Sequence, residues 1–163
     1  IKNKTILEIG SGSGAHSALL YSKGAKTLAM DISFDRSMST YKKLSLLDNS
    51  CLNFLCLNSN SENIPIKNNS FDFVYSNGVL HHANDTDRSV EEVFRVLKPG
   101  GKLIGLWFPL DKTIEDGGPP WGITINEVKS IFNNGWIIER EEFSEMSIQP
   151  RKNREKLIIF RKQ

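Results

Sequence analysis

Glu8-Ile9-Gly10-Ser11-Gly12-Ser13-Gly14 is the densest chemical signal in the chain. Glycines at alternate positions let a backbone turn sharply and let a ligand approach it closely. A helix beginning just after them adds N–H donors and partial positive charge. Gly10, Gly12 and Ala15 also satisfy the dinucleotide spacing G-x-G-x-x-G/A, so the glycines alone leave the ligand open. Glu8 narrows the choice. An acid two residues before the first glycine opposes a pyrophosphate and suits a cationic ligand. Asp31 closes the next predicted strand, where a carboxylate can accept both hydroxyls of a ribose. His81 and His82 follow a fourth predicted strand near the rim of the site. A histidine there can serve as general base, and it can equally pack or cap the turn that follows.

The elements that must position these residues alternate along the whole chain, without linker, repeat or low-complexity stretch. Strands are expected at 5–9, 27–30, 51–57, 71–76 and 102–108, with a final pair at 136–143 and 156–160. Helices are expected at 15–22, from Ser33 as cap to about Leu47, over 87–97, and from Thr124 through Phe132. Pro99-Gly100-Gly101 reads as the stop of the third helix. The last two strands leave no room for a helix between them and should be antiparallel neighbours. The pattern predicts a doubly wound, Rossmann-like α/β fold: seven strands, mostly parallel, helices on both faces, and a site at the strands' carboxyl ends.

Bulk properties exclude several classes. The 163 residues form one domain's length, and 39% hydrophobic content suffices for one core. Residues 151–163 hold six basic side chains against Glu155, yet Leu157-Ile158-Ile159-Phe160 interrupts them. A strand with a solvated basic face is therefore expected rather than a nucleic-acid or lipid arm. Cys51 and Cys56 sit in one predicted strand, too far apart to bridge, as reduced thiols of a cytoplasmic protein. No apolar run approaches a membrane span, and no metal site is read.

Ile6 to Phe108 resembles the class I S-adenosylmethionine-dependent methyltransferase core. The resemblance rests on the glycine loop, on Asn60-Ser61-Glu62-Asn63-Ile64-Pro65 before Ser70-Phe71-Asp72-Phe73-Val74, on Val79-Leu80-His81-His82, and on Arg95-Val96-Leu97-Lys98-Pro99-Gly100-Gly101. It implies S-adenosylmethionine as cofactor, with Glu8, Gly10, Ser11 and Gly12 around the methionine moiety, Asp31 on ribose and Ile32 on adenine. Asn60 and Ser61 would meet the adenine edge, and Ser76 and Asn77 the amino-acid end. Asp116-Gly117-Gly118-Pro119-Pro120-Trp121 and the stretch from Arg151 to Leu157 resemble the thiopurine and thiol/halide methyltransferase group. That likeness implies a small soft acceptor held near Phe108, Pro119 and Trp121, with no nucleic-acid partner. A ubiquinone-type O- or C-methyltransferase, a nicotinamide-dependent oxidoreductase and a catalytically silent module are the alternatives. Helices that cover the donor usually precede the first strand in such enzymes. Here it begins at once, so the chain is expected to be the core of a longer protein.

Overall fold

β1 (Thr5–Ile9) is buried along nearly its whole length, as a strand covered on both faces of a parallel sheet must be. It sits between β2 (Lys26–Asp31) and β4 (Phe71–Asn77) in a seven-stranded sheet of order β3-β2-β1-β4-β5-β7-β6. The computed structural model describes residues 1–48, 52–118, 120–145 and 147–163. Cys51, expected to open the third strand, and Pro119, expected near the acceptor, lie outside the described residues.

α1 (Ala15–Ser22) links β1 to β2, and α2 (Phe34–Leu47) links β2 to β3 (Phe54–Asn58). α3 (Thr86–Val96) links β4 to β5 (Leu97–Trp107) in the opposite direction across the sheet. Right-handed crossovers then place α1 and α2 on one face and α3 on the other. The sense of winding reverses between β1 and β4, where a doubly wound sheet opens its crevice. α4 (Ile125–Ile131) packs beside α3 and is closed at its start by a capping box between Thr124 and Glu127. β6 (Trp136–Phe143) and β7 (Lys156–Lys162) complete the sheet, with β7 antiparallel to both β5 and β6. The core on the α3 face is aromatic. Phe132 stacks on Phe160 at 3.8 Å, with Trp107 and Trp136 edge-on to Phe132.

Several boundaries differ from the sequence reading, three of them by an identifiable cause. β3 starts at Phe54, because pairing with Thr27 sets its first residue. α3 starts one residue earlier, because the Asp85 side chain accepts the Arg88 N–H at 2.8 Å and caps it. Pro99-Gly100-Gly101 is not a stop between helix and strand but lies inside β5. Leu97 already pairs with Phe71, and the extra residues before the Phe73–Lys102 pair form a bulge. Gly101 is required there, since a Cβ would stand 2.8 Å from the Lys98 carbonyl oxygen.

The basic stretch at the end is also not simply solvated. Lys162 is buried, and its ammonium donates to the carbonyls of Phe94 and Leu97, both at 2.8 Å, closing the end of α3. Lys156 pairs with Glu141 and Arg161 with Glu139. Among the described residues no helix is long and apolar enough to cross a membrane.

Candidate functional site

A cleft of about 340 Å³ opens at the carboxyl ends of β1, β2 and β3. Gly10, Asp31, Ile32, Asn60, Ser61 and His82, all singled out in the sequence, line it together. Arg36, Glu62, Val79 and Asn84 also line it; none was read as a site residue, although Glu62 and Val79 belong to the quoted motifs. Arg36 carried a signal, one turn into a helix that follows a ribose-type carboxylate. The others lie in irregular chain whose path no periodicity reports.

The glycine loop is built to turn. Gly10, Gly12 and Gly14 have φ of 77, 55 and 76°, in the left-handed region open to glycine. At Gly14 a Cβ would meet the Thr40 backbone at 2.9 Å, so the loop lies directly on α2. Four of its N–H groups are spent internally. Those of Gly10 and Ser11 donate to the Met30 carbonyl, that of Gly14 to the Ser11 carbonyl, and that of Gly12 to Asp31 Oδ2 at 2.8 Å. A pyrophosphate cradle needs just these donors. Those of Gly10, Ser11, Gly12 and Gly14 are already taken.

Asp31 is buried, and its second oxygen accepts the Ser33 N–H at 2.9 Å. Each carboxylate oxygen thus takes one backbone donor and keeps acceptor capacity for another. Asn58, not foreseen, holds the same turn by donating to the carbonyls of Asp31 and Ile32 at 3.0 and 2.8 Å. Ile32 is 72% exposed, an apolar wall at the mouth. Asn60 Oδ1 accepts the Glu62 N–H at 3.1 Å, which fixes the plane of its amide. The Ser61 hydroxyl pairs with that of Ser89 at 2.9 Å.

Other expected residues lie elsewhere. Glu8 is buried against α1, where Ser17 donates to it and His16 Nδ1 stands 3.6 Å away. Burial pushes its carboxyl up to about 7, against the hydrogen bonds from Ser17, which lower it. The Ser11 hydroxyl receives that of Thr40 at 3.2 Å. Ser76 turns its side chain into the core, 2% exposed, and Asn77 Oδ1 accepts from Arg151 at 3.5 Å. His81 is buried with Nε2 2.7 Å from the Phe108 carbonyl oxygen, so that nitrogen carries the proton. Burial, and then the neighbouring His82, lowers His81 to about 4; burial also lowers His82. The Phe108 ring lies under the guanidinium groups of Arg151 and Arg154, at 4.9 and 5.3 Å. Trp121 is 42% exposed. Phe108 and Trp121 stand apart from the cleft lining.

The residues therefore fit a nucleoside ligand: a ribose acceptor, apolar walls and a glycine turn whose Gly10, Ser11, Gly12 and Gly14 N–H groups are already engaged. The methyltransferase domain family matches residues 7–105, which contain all of this cleft. The chain belongs to that family. S-adenosylmethionine is the cofactor that the family and the fold call for.

Among curated relatives of this methyltransferase domain is the ubiquinone/menaquinone biosynthesis C-methyltransferase UbiE of Rickettsia typhi. It is 34% identical over 112 residues, 65% of this chain and 45% of the relative. The tRNA U34 carboxymethyltransferase of Ruthia magnifica is also 34% identical, over 64% of this chain and 32% of its own length. The chain thus spans less than half the length of these relatives. A SAM-dependent methyltransferase from Aquifex aeolicus shares the fold with a TM-score of 0.79 at 22% identity, covering 99% of this chain and 84% of that one. A [4+2]-cyclase, SpnF, superposes with a TM-score of 0.80 at 15% identity, over 99% and 76% of the two chains.

Proposed function

We propose that the protein transfers a methyl group from S-adenosylmethionine to a small-molecule acceptor, and that Asp31 and the closed glycine loop bind the donor's adenosine half. One observation carries the reading: the N–H groups of Gly10, Ser11, Gly12 and Gly14 are all engaged within the chain, and one of them holds the Asp31 carboxylate. This arrangement takes those four donors from a pyrophosphate while presenting a ribose acceptor. When bound, S-adenosylmethionine supplies an electrophilic methyl group on a sulfonium.

The chain's residues then have separate tasks. Asp31 accepts ribose hydroxyls, Ile32 and Val79 exclude water from the adenine, and Asn60 with Ser61 forms its edge. The backbone ends of Ser76 and Asn77 face the amino-acid half, while the Glu8 carboxyl holds α1 behind the glycine loop. Displacement at a methyl group needs positioning and desolvation more than proton transfer. His81, committed to the Phe108 carbonyl and held neutral, serves as a pin rather than a base, and His82 serves as a wall of the cleft.

For the acceptor, the UbiE-type relatives favour a carbon or phenolic oxygen nucleophile on a small ring. The thiol or halide reading rests on residues 116–121 and 151–157, beyond the stretch matched by the family. A methyl-transfer screen against isoprenoid phenols, small thiols and iodide separates the two. Methylation of nucleic acid alone would overturn both. Retention of a nicotinamide cofactor in place of S-adenosylhomocysteine by the isolated protein would overturn the donor assignment.

A further inference from the structure

Five buried side-chain polar atoms among the described residues have no hydrogen-bond partner. Three of them, Ser76 Oγ, His81 Nδ1 and Trp107 Nε1, belong to the carboxyl ends of β4 and β5 and the turn that follows β4. Buried polar atoms in native proteins almost always find partners, from protein or from ordered water.

Their placement follows from the strand register. Ser76 pairs with Gly105, so the two residues point their Cβ directions side by side from the same face. Gly105 has no side chain, and the indole of Trp107 folds back into its place. A Cβ on Gly105 would stand 2.7 Å from Trp107 Nε1. The Ser76 hydroxymethyl group and the indole N–H therefore occupy neighbouring positions on one face of the sheet. They do not bond each other, since both are without a partner, and a bridging atom can join them. The His81 ring adjoins the same indole, with centroids 5.8 Å apart.

The chemistry of the three groups is matched. Trp107 Nε1 only donates. His81 Nε2 gives its proton to the Phe108 carbonyl, so His81 Nδ1 only accepts, and the Ser76 hydroxyl does either. We propose that Ser76, His81 and Trp107 bind one internal water molecule, which accepts from the indole N–H, donates to His81 Nδ1 and shares its remaining valence with the Ser76 hydroxyl.

The water is a positioning element. It holds His81 in the tautomer that donates to Phe108, and Phe108 is the ring on which Arg151 and Arg154 stack. The end of β4 is thereby tied to the loop leaving β5. The site stands whatever the acceptor or the donor.

Nuclear magnetic resonance on the isotope-labelled full chain tests it. His81 should be protonated at Nε2, and the Trp107 indole proton should show a nuclear Overhauser contact to a water held longer than molecular tumbling. Trp107→Phe should abolish the long-lived water contact at His81, and Ser76→Ala should weaken it. A His81 protonated at Nδ1 would overturn the proposal, as would an indole proton with no water contact in the wild-type protein. A water contact at His81 that survives both substitutions would overturn it too. Should Trp107→Phe fail to fold, the wild-type measurement and Ser76→Ala still decide.

Discussion

Two acids at the ends of adjacent strands behave in opposite ways. Asp31 is held by two backbone donors and opens to the cleft, whereas Glu8 is sealed behind α1. Asp31→Ala should remove a charge-assisted contact of about 1.5–3 kcal/mol, and so weaken S-adenosylmethionine binding roughly 10- to 150-fold by calorimetry. Unchanged affinity would remove Asp31 from the ribose site. Glu8 binds its proton more tightly folded than unfolded, since its folded value is about 7 against 4.5. Its contribution to stability is therefore lost as pH rises through that window, by about 3 kcal/mol above pH 7. His81 acts in the reverse sense. Its folded value of about 4 lies below 6.5, so its contribution is lost as pH falls through that range. The two slopes oppose each other between pH 4.5 and 6.5 and flatten the wild-type profile. Glu8→Gln should unmask them: little change in urea stability below pH 4.5, and a gain growing toward about 3 kcal/mol above pH 7. Much of this site was legible in the sequence because Gly10, Gly12 and Asp31 sit where two adjacent strands, β1 and β2, end. The inward aim of Ser76 and the pinning of His81 were not, because both depend on β5, a neighbour supplied some 30 residues later.

At the scale of elements, the irregular segment between β3 and β4 is held by one helix. Glu92 on α3 accepts the Ile64 N–H at 2.8 Å, and Arg95 donates to the carbonyls of Ile64 and Ile66 at 2.8 and 2.7 Å. Hydrogen bonds from Arg95 are the chief reason the Glu92 carboxyl stays below its usual range, against its burial. Arg95→Ala leaves that carboxylate with Arg88 at 3.4 Å. The expected cost in urea unfolding is about 2–3 kcal/mol, below the ~3–5 of a fully buried pair because Arg95 reaches solvent. The segment carrying Asn60 and Ser61 should loosen with it, so donor affinity should fall in the same variant. Gly14→Ala forces a side chain against the Thr40 backbone at a positive φ, with an expected loss of about 1–3 kcal/mol. Helix periods and glycine stops made the elements readable. The bulge in β5 escaped because Pro-Gly-Gly marks a break in local geometry, and only pairing with Phe71 shows that the strand runs through it.

For the molecule as a whole, the strand count and the antiparallel finish were legible, since β6 and β7 follow each other without a helix. Their lateral order was not. β7 lies inside, between β5 and β6, because its Ile158 and Phe160 fill the core under α4 while β6 is only half covered. Phe160→Ala should accordingly cost about 3–5 kcal/mol in chemical denaturation, and an effect under 1 kcal/mol would show that the stack on Phe132 is dispensable. This placement orders events in time. β7 leaves the ribosome after both of its sheet neighbours, so it is an insertion between two strands already made, not an addition to an edge. Until Lys156–Lys162 emerge, β5 presents an open row of backbone donors and acceptors, and β6 has no strand beside it. The nascent domain is therefore most exposed to strand-edge association in the interval after β6 has emerged and before β7 has. A chain ending before Lys156 should be captured by chaperones or aggregate, rather than persist as a smaller stable domain.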